Sequence, residues 1–269
     1  MILFLFLSHL AVGIVWSLAV VSKDAGVKFF RFNAGLAAIL LAVAFAFLPD
    51  VAQSRALLAA VAALAVSGLA LLLYWGTVGR ALASVRPLIF GLACTAGLVS
   101  VVGQALALTG DRAVTTQALT VVSFLSSAAL LGGACTAMIL GHWYLVIPSL
   151  QVSHLQSIVK VHIAAMVVRT AVVIAVVLFA LATSQPGQLG PSGLGPSFRS
   201  YIFSVSGVFF WQRVLFGLVL PVVLSYLTWE TAKIRSTQSA TGILYVVLFT
   251  IVVGEVLAKY LLLATRVPV

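Results

Sequence analysis

The sequence predicts an all-α integral membrane protein, a bundle of about eight transmembrane helices with both termini outside, and three observations carry that prediction. Hydrophobic residues fill 63% of the 269 positions and charged residues only 7%, whereas soluble domains carry about 25% charged residues. The apolar residues run continuously, several runs exceeding the roughly 20 residues that span a bilayer. They do not alternate, as the strands of a membrane β-barrel would. Basic residues collect in the short polar gaps, so the net charge of +10 reflects loops biased toward the cytoplasm rather than a nucleic-acid partner. A soluble secreted enzyme, a nucleic-acid-binding domain and a disordered tail are excluded.

Taken in order, the runs cover 2–22, 34–49, 56–78, 88–109, 117–147, 158–183, 201–229 and 240–264, within one polytopic domain. The first starts at Met1 without a basic leader or a small-residue cleavage site, and reads as a signal-anchor helix that stays. The second is short, and Phe29, Phe30 and Phe32 extend it back through Lys28 and Arg31. The fourth carries Ala93 and Gly97, a small-xxx-small pair suited to close helix packing. The fifth is long enough to tilt or project, and Gly132 and Gly133 thin it. Pro221 kinks the seventh. Ser184 to Ser200, rich in Pro, Gly and Ser, reads as a flexible external connector. No internal repeat is visible, and Cys94 and Cys135 read as small residues at helix contacts.

Orientation follows from the basic residues at helix ends. Lys23, Lys28, Arg31, Arg80, Arg86, Lys160, Lys233 and Arg235 fall on one side, and Arg55, Arg112, Arg199 and Arg266 on the other. The richer side is assigned to the cytoplasm, which puts the termini on the outer face of a cytoplasmic (inner) membrane. Trp75, Trp143, Trp229, Tyr144 and Tyr226 lie at its boundary, as an aromatic belt would.

Function has to come from polar groups within the spans, because an ionisable side chain at mid-bilayer costs about 3 kcal/mol or more unless paired. Six qualify: His9, Gln104, Arg169, Arg213, Glu255 and Lys259. Counted along their helices they fall at middle-to-outer depth, a candidate polar pocket opening outward. Three readings are open. Arg213 and Glu255 can bridge, with Glu255 and Lys259 a second pair at i, i+4 spacing, as a structural lock. The same groups can hold the carbonyl oxygens of a quinone and handle its protons. They can also line a solute or ion pathway through a transporter or channel. A second constellation lies at the cytoplasmic side, where His142 and His162 flank the fifth hairpin with His154 in the loop. Facing one another, His142 and His162 would suit a haem b iron.

Phosphate-binding loops, zinc-protease motifs and serine-nucleophile elbows are missing, and Asp24, Asp50 and Asp111 all lie at loops. The stretch from Arg213 through VLFGLVLP to Val222, followed by Gly254-Glu255-VLAKYLL, resembles the closing helices of NrfD/DmsC-type membrane anchor subunits, the polysulfide and DMSO reductase anchors. The resemblance covers about a fifth of the chain. It implies an eight-helix subunit of a respiratory oxidoreductase with an outer site for menaquinone or ubiquinone, in contact with membrane lipid and with iron–sulfur or haem-bearing redox subunits. On that basis Glu255 and Arg213 belong to the quinone region, and His9 matches a first-helix histidine that some members place there. The segments GHWYLVIP and Arg235-STQSATGILY have no assigned counterpart.

Overall fold

The computed structural model describes residues 1–50, 54–146, 152–183 and 197–269. Among them the chain is helical throughout, without a strand: α1 (Ile2–Leu18), α2 (Gly26–Ala46), α3 (Arg55–Thr77), α4 (Arg86–Thr109), α5 (Val114–Val146), α6 (Val152–Thr183), α7 (Phe198–Ile202), α8 (Val208–Val214), α9 (Leu220–Lys233) and α10 (Thr237–Thr265). Among the described residues seven segments are long and apolar enough to cross a membrane, and α1 is a shorter apolar helix of 17 residues. The expected all-α membrane bundle is what the chain forms.

Several boundaries differ from the sequence expectation. The first helix stops at Leu18, four residues short of 22, and a 3₁₀ turn at Lys23–Ala25 leads directly into α2. The Ser22 hydroxyl caps that turn by accepting from the Asp24 N–H. The second span therefore begins at Lys23 rather than 34, with Lys28 and Arg31 inside it. Such side chains reach the interface along their own stems, and Arg31 also lies over the Trp75 ring, 5.5 Å from its centroid. Of the connector Ser184 to Ser200, residues 184–196 lie outside the described residues. Its last part already belongs to α7, capped by the Ser197 hydroxyl. Residues 147–148 of GHWYLVIP are also outside.

The expected seventh span is made of pieces. A 3₁₀ turn at Val205–Gly207, α8, a π-helical turn at Leu215–Val219 and α9 follow one another along Val205–Lys233. Pro221 sits in the first turn of α9 and has no N–H to offer the carbonyl of Gly217 one turn earlier. The wider turn is the local answer to that missing donor.

Two helices form the centre. In α5, 67% of the most apolar stretch is buried inside the bundle, against 33% for α3. Helix α1 is apolar on all sides and buried along most of its length, as a helix enclosed by others must be. The two touch where Gly13 faces Gly132, and a Cβ on either would run into the other's backbone. A second close crossing joins the π turn to α10, where Gly217 lies against Gly254. Helices α6 and α10 pack on α5 with α9 against both of them, while α3 and α4 pair as a hairpin beside α1. Arg266, in the left-handed conformation, ends α10 and turns Val267–Val269 back across the bundle.

Candidate functional site

The two glycine crossings set the geometry of the buried polar groups. His9 is one turn before Gly13 on α1, and Ser127 lies just over one turn before Gly132 on α5, so the close contact brings them together. Gly254 directly precedes Glu255, and Gly217 lies one turn after Arg213. With no side chain on either glycine, the Arg213 guanidinium fits the notch between α8 and α10.

Glu255 is the hub, and it is fully buried. Arg169 grips it with both prongs, Nε donating to Oε1 at 2.9 Å and Nη2 to Oε2 at 3.2 Å. Arg213 donates from Nη2 to Oε1 at 2.8 Å. Lys259, one turn along α10, stands 3.6 Å from Oε2. Thus the expected Arg213 bridge and the i, i+4 pair both form, and Arg169 joins the same carboxylate. Three cationic side chains from three helices converge on one acid, in surroundings where each would be costly alone.

The serines of α5 tie the cluster together. Ser127 Oγ donates to Glu255 Oε2 at 2.6 Å and accepts from Lys259 Nζ at 2.7 Å. Having given its single hydrogen to the carboxylate, this hydroxyl is an acceptor toward His9 Nδ1, 3.5 Å away. That arrangement suits the His9 tautomer with its hydrogen on Nδ1 and a lone pair on Nε2. The His9 ring meets Phe124 edge-on with centroids 4.7 Å apart, and Lys259 Nζ lies 5.1 Å from the same ring's centre. Gln104 interacts with His9 as well, and it accepts from Ser8 at 3.3 Å and donates to Ser100 at 3.0 Å.

The two arginines are unequal. Arg169 uses its remaining donors on Ser123 Oγ at 2.8 Å, the Ser123 carbonyl at 3.1 Å and the Val269 carbonyl at 3.3 Å. Ser123 Oγ in turn donates to the Pro268 carbonyl at 2.8 Å, so the turned-back segment seals this side. Arg213, equally buried, has no acceptor for Nε or Nη1 among the described residues, and His9 Nε2 has no hydrogen-bond partner either. A buried guanidinium with unused N–H groups is costly, and an oxygen-bearing ligand or water is the ordinary remedy.

Sequence reasoning found all four charges and His9 but missed Ser123, Ser126 and Ser127. Their signal is the run SFLSS at 123–127, which sets three hydroxyls on one face of an apolar helix.

The histidines at the other end do not form a comparable group. His142 is exposed and its Nδ1 pairs with the Tyr245 hydroxyl at 3.0 Å. His162 is fully buried, its Nε2 2.9 Å from Ser225 Oγ. His154 Nε2 lies 3.2 Å from Asp24. The rings of His142 and His162 thus occupy different surroundings, and this geometry lends no support to an axial pair. No group of three or more His, Cys, Asp or Glu suited to a metal occurs among the described residues. Cys94 and Cys135 are free thiols at helix contacts. Compared with protein-family models, with curated proteins and with solved structures, the chain matches none.

Proposed function

We propose that this chain is the membrane-integral subunit of a respiratory electron-transfer complex and that it binds quinone or quinol at the Glu255 cluster. One observation carries the reading: a fully buried, cation-rich cluster in which Arg213 has donors to spare and His9 has a lone pair to spare. A quinone is a neutral ring with acceptor oxygens, which exchanges two electrons and two protons when it is reduced or oxidised. The residues suit that ligand. Arg213 donates to an oxygen, His9 Nε2 accepts a proton, and Lys259 with Ser127 passes protons along an unbroken hydrogen-bonded line. Glu255 supplies the counter-charge that lets the arginines stay buried. When quinol is oxidised its protons leave toward His9 and its two electrons pass to an iron–sulfur or haem-bearing partner subunit, and the distribution of basic residues supports termini on the outer side of the cytoplasmic membrane.

The test is quinol turnover and quinone retention in the purified complex. Arg213→Lys keeps a positive charge but loses the planar fork, and is expected to lower turnover by at least about tenfold, the equivalent of one lost charge-assisted hydrogen bond. A complex that retains no quinone, and whose turnover is indifferent to Arg213→Lys and Glu255→Gln, would refute the proposal.

A further inference from the structure

At the end of the bundle that carries the basic loops, the last turn of α1, the start of α2, the end of α3 and the start of α4 enclose a cleft of about 480 Å³. Its size is that of a small-molecule site. Lys23 and Arg86 both line it, and Phe30, Tyr74 and Phe90 supply an aromatic wall. Tyr74 and Phe90 pack on each other with centroids 5.1 Å apart.

The electrostatics of the cleft are one-sided. Arg86 is fixed by donating from Nη2 to the carbonyls of Thr77 at 3.2 Å and Ala81 at 3.0 Å, which leaves its buried Nε without an acceptor. The acid nearest Lys23 is Asp24, which is engaged elsewhere, by the Ser22 hydroxyl at 2.9 Å and by His154 at 3.2 Å. Two cations therefore line a space whose other walls are largely apolar. The complement is a molecule with an anionic head and an apolar body, located at the membrane interface.

We infer that this cleft is a binding site for an anionic phospholipid of the adjoining leaflet, its phosphate held between Lys23 and Arg86 and its glycerol and upper acyl chain against Phe30 and Phe90. Basic pockets between transmembrane helices bind acidic headgroups in this manner. The site is remote from Glu255 and does not depend on what that cluster binds.

The experiment reconstitutes the full chain in nanodiscs of phosphatidylglycerol and phosphatidylcholine, releases it gently, and counts retained lipid by native mass spectrometry. The wild type is expected to keep one phosphatidylglycerol per chain in preference to phosphatidylcholine. Removing one cation, by Lys23→Gln or Arg86→Gln, weakens retention about fivefold, and removing both weakens it about thirtyfold. Arg86 also holds the α3–α4 turn, so Lys23→Glu serves as a second variant that leaves that turn intact, and it must abolish the preference. Lys160→Gln, at a different helix pair, should leave retention unchanged. Equal retention of the two lipids, or retention indifferent to both cleft cations, would overturn the assignment.

Discussion

The two ends of the bundle handle charge in opposite ways. Toward the end where Val267–Val269 turn back across the bundle, three cations from α6, α8 and α10 are buried and share a single carboxylate. At the opposite end the cations lie at the rim against aromatic faces, Arg31 over Trp75 and both Lys160 and Lys233 over Trp229 at 5.3 and 5.4 Å, and Lys233 adds only a partly exposed pair with Glu230. The histidines there are single, each with one local partner. Depth explains the difference. A rim cation keeps its hydration and gains little from a partner, whereas a buried one is tolerable only within a network that shares its charge and satisfies its donors. The buried end should be brittle to substitution and the rim tolerant.

The largest effect belongs to Glu255→Gln, which leaves Arg169, Arg213 and Lys259 facing a neutral amide. It is expected to cost about 3–5 kcal/mol, read as a large drop in the thermal midpoint of the detergent-solubilised protein. A change below about 1 kcal/mol would mean that the cluster does not hold the bundle and would break the comparison. Next come the glycine crossings. Gly254→Val drives a side chain into the Gly217 backbone and the Arg213 guanidinium, and overpacking of this kind costs about 1–3 kcal/mol. Gly13→Val tests the α1–α5 crossing in the same way.

Ser127→Ala sharpens the comparison, because it removes the hydroxyl linking Glu255, Lys259 and His9 without removing a charge. Its expected cost is about 1.5–3 kcal/mol, as for hydrogen bonds to charged groups. At the tolerant end, Lys233→Ala breaks the partly exposed ion pair with Glu230 and should shift stability by no more than about 0.5 kcal/mol. A larger loss there than at Ser127 would reverse the ranking that depth predicts.

Much of this was legible in the sequence, for identifiable reasons. Continuous apolar runs dictate spans, and the rarity of charge singles out Arg169, Arg213, Glu255 and Lys259 without any structure. The Glu255–Lys259 pair follows from helical spacing alone. What the sequence does not carry is which helices cross. Gly13 and Gly217 read as ordinary small residues, yet they let α1 reach α5 and the π turn reach α10. Arg169 lies 86 residues from Glu255 in the chain, a pairing no local pattern encodes. The serines at 123–127 do not stand out in the sequence, because hydroxyls bonded back to their own helix are common in membrane spans. Pro221 announces a kink but not its π-helical form.

The difference between the two arginines bears most directly on function. Arg169 spends every donor inside the protein, and Arg213 does not. Infrared difference spectra of the purified complex with ¹³C-carbonyl-labelled quinone address this directly. The account predicts one labelled carbonyl band shifted to lower frequency in the wild type, by a hydrogen bond from a charged donor, and returned toward its free position in Arg213→Lys. An unshifted carbonyl pair in the wild type, or a shift that survives Arg213→Lys unchanged, would contradict it.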